Sequence, residues 1–269
     1  MNEEWIAIAE TVTGAQHIKV GKPNQDAILA LSKSPIWIVA VADGHGSQKS
    51  PRSAKGAELA VKIATLHIYS ILSKEGTATI EKEQLTRISE TIVKQWQDEV
   101  IKDSIENEWS DEEKTTIKNQ KDFLLYGTTL LVCAITETQL LFLQIGDGDI
   151  IIVENNNNII SPIARDPNLI ANETTSLGMK DAQKSIRSAI LPLEGEKPNL
   201  IMLSTDGYSN SFVDPEGFIQ AATDIATMLN EKGSTPIRKD LKNWLQSTSA
   251  EGSGDDTTVG LLWHPGSTK

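Results

Sequence analysis

Nine short apolar runs, each bounded by turn-forming residues, constrain the fold of this chain more than any other feature. Read as strands, they cover residues 5–10, 27–31, 36–42, 129–135, 140–145, 150–153, 186–191, 200–204 and 258–263. Several follow one another across only a short turn, which suits antiparallel pairing. Residues 27–31 and 36–42 read as a hairpin through 32–35. The four asparagines at 155–158 read as a turn, because asparagine tolerates positive φ.

Helical spacing interrupts these runs twice. Ala57, Val61, Ala64, Ile68 and Ile71 recur at steps of three and four, as do Leu85, Ile88, Ile92, Trp96 and Val100. Later, Asp214 is placed to cap a helix whose first turn holds Pro215 and whose buried stripe is Phe218, Ala221, Ala222, Ile225 and Leu229. Another begins near Thr235-Pro236 and carries Ile237, Leu241 and Trp244. Helix pairs inserted into consecutive strands disfavour a doubly wound parallel sheet. They predict one α+β domain over residues 1–269, a central antiparallel β-sandwich flanked on both faces by helix pairs. Residues 103–125 read as a polar helix extension and surface connection. Residues 161–185 read as a long irregular loop, a kind that is often functional.

The net charge is -12, so a nucleic-acid backbone is not the expected partner. No run approaches the ~18 apolar residues that cross a bilayer, and the acidic N-terminus does not resemble a signal peptide. The single cysteine, Cys133, has no internal partner, which fits a reducing cytoplasm. A cytoplasmic monomer without membrane attachment is expected.

Most of the acidic residues read as a solvated surface, but five segments place aspartate at the end or start of an apolar strand. They are Asn24-Gln25-Asp26, Ala42-Asp43-Gly44-His45-Gly46, Gly146-Asp147-Gly148-Asp149, Ser204-Thr205-Asp206-Gly207 and Asp255-Asp256-Thr257-Thr258. Each alone is explained by a turn or a helix cap, Asp147-Gly148 most easily, since it joins two pairing strands. Together they place carboxylates where a sheet converges side chains on one rim, and such groups repel unless protons or cations neutralise them. Oxygen donors of this kind suit hard divalent cations. The four histidines, at 17, 45, 67 and 264, show no zinc-type spacing. Gly44 and Gly46 let the backbone approach a cation, and His45 between them is a candidate proton donor.

The ordered set Asn24-Gln25-Asp26, Asp43-Gly44-His45-Gly46, Gly127-Thr128-Thr129, Gly146-Asp147, Asp206-Gly207 and Asp255-Asp256-Thr257-Thr258-Val259 resembles the protein phosphatase 2C family, in its bacterial type. The match runs over about residues 5–263; single motifs are weak, but six in order are specific. The resemblance implies two Mn2+ or Mg2+ ions. Asp43 would bridge them, the Gly44 carbonyl would bind one, Asp206 and Asp255 would complete the other, and Asp26 would act through bound water. Asp147, with Asp206, would hold a third ion. The implied reaction is hydrolysis of phosphoserine and phosphothreonine in proteins by a metal-activated water, without a phosphoenzyme, His45 protonating the leaving alkoxide.

Two departures from the family pattern matter, one for the substrate and one, at Asp149, for the acidity of the third-metal region. Many members carry an arginine three residues before the Asn-Gln-Asp motif, where it grips the phosphate bidentately. Gly21 stands there, leaving His17, Lys19 and Lys22 as candidates for a point-charge contact. Asp149 replaces an arginine common in relatives, and 161–185 falls where bacterial members have a flap beside the active site. The implied partners are phosphorylated proteins and a cognate Ser/Thr kinase or its targets. One alternative is a catalytically weak member that binds phosphoprotein or kinase, though none of the core aspartates is missing. Another is a different two-metal hydrolase, such as a nuclease or nucleotide phosphatase, which motif order disfavours.

Overall fold

The computed structural model describes residues 4–75, 79–111, 113–114, 122–164 and 174–266. Strand β3 (Ile36–Ala42) shows why the central strands read as unbroken apolar runs, for it is buried along its whole length. Its odd-numbered residues Trp37, Val39 and Val41 enter the core between the two sheets, while Ile36, Ile38, Ala40 and Ala42 pack under helices on the other face.

One antiparallel sheet runs β2 (Ala27–Lys33), β3, β4 (Leu130–Ile135), β5 (Gln139–Ile145) and β8 (Arg187–Pro192). The other runs β1 (Ile6–Val12), β10 (Thr257–Trp263), β9 (Leu200–Ser204), β6 (Asp149–Val153) and β7 (Ile159–Ile160), again antiparallel. Phe142, Leu131, Ile201 and Leu203 interdigitate between them. Helices α2 (Ser53–Glu75) and α3 (Lys82–Glu106) cover the first sheet, with Trp96 fully buried and its indole N–H on the Gly56 carbonyl at 2.9 Å. Helices α5 (Pro215–Lys232) and α6 (Ser234–Glu251) cover the second. The α5 cap is Asp214, which accepts the Gly217 N–H with Pro215 in the first turn, as expected from the sequence. The layered architecture therefore agrees with the sequence reading.

Two elements were not expected. Helix α1 (Ala15–Val20) is six residues long and buries none of them fully, so it leaves no apolar stripe to read. Strand β7 is only two residues, paired to the end of β6 beyond the asparagine turn, where Asn157 has φ 63°. Helix α3 ends at Glu106, well inside the expected 103–125 connection, and a 3-10 turn follows at Asp122–Tyr126. Residues 112 and 115–121 of that connection lie outside the described residues, as do 165–173 of the 161–185 loop.

Strand register decides where the acids fall. Ala27 pairs with Ala42, and Ser204 pairs with both Asp149 and Val259. The starts of β2, β6 and β10 thus sit beside the ends of β3 and β9 at one rim of the sandwich.

Candidate metal centre

Each aspartate expected at the rim is presented by the end of a strand. Asp26 precedes β2, Asp43 follows β3, Asp147 lies in the β5–β6 turn, Asp255 precedes β10, and Asp206 opens the one-turn helix α4 (Asp206–Ser209) after β9. The backbone of Asp43 is held firmly. Its N–H donates to Thr129 Oγ1 at 2.9 Å, and its carbonyl accepts from Thr128 Oγ1 and the Thr129 N–H, both at 2.8 Å. The next residue, Gly44, bridges to Thr128 and donates its N–H to the Gln25 carbonyl at 3.2 Å. A Cβ there would meet backbone atoms of Gln25 and Ser53 at 2.6 and 2.8 Å, so only glycine fits.

Asp43, Asp147 and Asp206 each bring a carboxylate oxygen to within 4.8 Å of the others. Burial raises the Asp43 carboxyl well above its ordinary value, and Asp26, Asp206 and Asp255 add repulsion. Asp206 is pushed up to about 6 by burial, then by Asp147 and Asp255, while hydrogen bonds from Asp43 and the Gly207 N–H oppose the rise. Asp26 is pushed up to about 8, again mainly by burial, against the pull of hydroxyls from Thr258 and Thr205. All five expected carboxylates therefore interact in one cluster of like charge. Divalent cations fit this donor set in chemistry and in charge, because its donors are hard, all-oxygen and mutually repelling.

His45 reaches the same rim. Its backbone N–H donates to the Gly127 carbonyl at 3.2 Å, and burial lowers its imidazole from the ordinary value while Asp147 pulls it back up. Lys22, exposed, donates from Nζ to the Gly46 carbonyl at 3.4 Å, one residue beyond His45. Lys19 is exposed on α1. His17 faces inward: Nδ1 lies 2.9 Å from Asp256 Oδ1, an ion-pair distance short of an aligned hydrogen bond, and Nε2 lies 3.9 Å from Asp255.

Sequence reasoning passed over Asp256 and a set of threonines. Asp256 is 4% exposed and accepts the backbone N–H groups of Gly14 and Gln25, each at 2.7 Å, tying α1 and the Asp26 segment to β10. Thr205 and Thr258 are buried and bond Asp26. Their signal was present, since hydroxyls at strand positions that should be apolar imply polar work. The described end of the 161–185 loop is laced to the same rim. Ser176 bonds both the N–H and the carbonyl of Thr128, and Thr175 Oγ1 accepts the Gly146 N–H at 2.9 Å. Arg187 donates to the carbonyls of Ala164 and Gly146, closing the loop's base against the Asp147 turn.

Residues 13–246 match the family model for protein phosphatase 2C. No curated protein sequence matches the chain. Among solved structures, the fold is similar to a bacterial serine phosphatase, with TM-score 0.60, 20% identity and coverage of 96% of this chain and 97% of that one. It is similar to the serine/threonine phosphatase Stp1 from Staphylococcus aureus, at TM-score 0.60 and 19% identity over 96% of this chain and 94% of that one. The serine/threonine phosphatase of S. agalactiae matches at TM-score 0.59 and 18% identity, over 96% and 99%. No helix among the described residues is long and apolar enough to cross a membrane.

Proposed function

The chain belongs to the protein phosphatase 2C family and is a serine/threonine protein phosphatase, and from that premise we propose that it cleaves phosphoserine and phosphothreonine by direct attack of water, with no phosphoenzyme. The observation that carries this reading is the set of mutually repelling carboxylates of Asp43, Asp147 and Asp206, within 4.8 Å of one another at the end of a sandwich. Asp43, the Gly44 carbonyl, Asp206 and Asp255 would hold two Mn2+ or Mg2+ ions, with Asp26 acting through water and Asp147 joining Asp206 on a third. When bound, the cations supply a water of lowered pKa and positive charge opposite the phosphoryl oxygens.

The protein's own contributions are positioning and a proton. His45 stands on the glycine-flanked turn that follows Asp43 and would protonate the leaving serine or threonine oxygen. Lys22 donates to the Gly46 carbonyl on that turn and would anchor the substrate phosphate as a point charge. His17 and Lys19 are weaker candidates, because the one faces Asp256 and the other stands out from α1. The substrates would be phosphorylated proteins made by a cognate kinase. We read residues 1–269 as one catalytic domain that works as a cytoplasmic monomer, without nucleic acid or membrane.

Phosphate release from an aryl phosphate and from a phosphothreonine peptide, with Mn2+ or Mg2+ and then with chelator, tests the proposal. Release with metal and none with chelator is expected. Binding of phosphopeptide without metal-dependent turnover would favour the catalytically weak alternative instead.

A further inference from the structure

We propose that Thr11, Thr258 and Thr205 are positioning residues, which aim one oxygen of Asp26 at the metal centre through a chain of hydroxyls with a single direction. This rests on the reading of Asp26 as part of that centre. The chain begins at Asn24, whose side-chain oxygen accepts the Asp26 N–H at 2.9 Å and whose amide donates to Thr11 Oγ1 at 2.8 Å. Thr11 and Thr258 are cross-strand partners on β1 and β10, with their hydroxyl oxygens 2.6 Å apart. Thr258 Oγ1 donates to Asp26 Oδ2 at 2.7 Å. Thr205, at the end of β9, donates to the same oxygen at 2.8 Å and accepts the Thr258 N–H at 3.1 Å.

A hydroxyl has one proton, and that fixes the polarity of the chain. With Asp26 ionised, as it would be beside a cation, Thr258 gives its proton to Asp26, so in the contact with Thr11 it accepts and Thr11 donates. Thr11 in turn accepts from Asn24. Every dipole then points towards Oδ2. Oδ2 is thus turned to the threonines, which leaves Oδ1 for a cation or its water. Hydrogen bonds in such a chain polarise one another. Valine has nearly the shape of threonine and would suit strands whose other residues are mostly apolar, so packing does not call for three hydroxyls here.

Mn2+ affinity measured by calorimetry, together with urea unfolding in EDTA, tests the proposal. Thr258→Val is expected to weaken Mn2+ binding about 10- to 100-fold, while Thr258→Ser, which keeps the hydroxyl, stays within about threefold of wild type. Thr11→Val, which touches neither Asp26 nor any metal ligand, is expected to weaken binding less, and to add nothing in the Thr258→Val background. Unchanged affinity in Thr258→Val, equal losses in the Ser and Val variants, or additive losses from Thr11→Val would each overturn the proposal. If Thr258→Val fails to fold, Thr11→Val and Thr258→Ser decide the matter. Failure of the wild-type protein to bind Mn2+ would overturn the metal reading and this proposal with it; normal wild-type binding beside an unaffected Thr11→Val and Thr258→Val overturns this proposal alone.

Discussion

Without divalent cation, Asp206→Asn is expected to stabilise the fold, and in saturating Mn2+ to destabilise it relative to wild type. Asp206 ionises near 3.8 when unfolded and near 6 in the fold, where burial and the charges of Asp147 and Asp255 oppose ionisation. Above both values the folded state carries that penalty in full, about 3 kcal/mol at ~1.4 kcal/mol per pH unit. This is an upper bound, because Asp26 and Asp43 relieve one shared repulsion when any member of the cluster is neutralised. Asparagine keeps an oxygen at the start of α4, where the Asn210 side chain now donates to Asp206 at 3.0 Å. For a chain of this size the gain corresponds to roughly 6–12 °C in melting temperature.

The pH dependence separates electrostatics from packing. Between pH 3.8 and about 6 the folded wild type holds a proton that the unfolded chain has lost. Its stability therefore falls as pH rises through that window. The variant has nothing to lose there, so its advantage grows from near zero at pH 4 to its full value by pH 8. Melts at pH 4, 6 and 8, in EDTA and in Mn2+, measure this directly. A wild type more stable than the variant in EDTA at pH 8, or an advantage independent of pH, would refute the reasoning.

Three further outcomes are expected. His45→Ala lowers turnover of a phosphothreonine peptide by about 10²- to 10⁴-fold but that of an aryl phosphate by less than about tenfold, since an aryl oxide leaves without a proton; steady-state rates on the two substrates decide it, and equal losses would remove the general acid role. Lys22→Ala raises KM for the phosphopeptide several-fold, by about 1 kcal/mol of lost binding, and leaves kcat within about twofold; a fall in kcat alone would place Lys22 elsewhere in the reaction. Gly44→Ala forces a methyl group to within 2.6 Å of the Gln25 carbonyl oxygen. It should lower stability by about 1–3 kcal/mol in urea unfolding, even in EDTA.

What the sequence disclosed and what it hid follow from burial and from distance along the chain. Strands such as β3 and β4, with every residue buried, leave apolar runs that turns punctuate, so their positions were readable to within a residue or two. Helices α2, α3, α5 and α6 each bury one face and leave a stripe. Helix α1 has no buried residue and leaves nothing of the kind. The candidate ligands were legible because aspartate after an apolar strand is unusual in several copies. Asp256 was not, because it stands beside Asp255, and only the fold shows which of the two is sealed among backbone N–H groups. The hydroxyl chain to Asp26 draws on β1, β9 and β10, and no local pattern links positions so far apart.

The same local geometry explains the missing phosphate-binding arginine. Gly21 ends α1 in the left-handed region, with φ 71°, its N–H on the Ile18 carbonyl, and the following N–H of Lys22 on His17. An arginine there would have to adopt a conformation that disfavours L-residues by about 1–2 kcal/mol. Helix stop and phosphate grip thus compete for one position, and in this chain the stop occupies it. Helix α1 in turn carries His17 to the buried Asp256, which also takes the N–H of Gly14 just before the helix. Replacing Gly21 to regain an arginine would strain the turn that sets His17 against Asp256 and Asp256 against the Asp26 segment. The turn also directs the next side chain back over the rim, where the Lys22 ammonium meets the Gly46 carbonyl. On the proposed reading of Lys22 the cation would be moved by one residue rather than lost, and would change from a bidentate fork to a point charge, which favours a weaker and less directional hold on the phosphate.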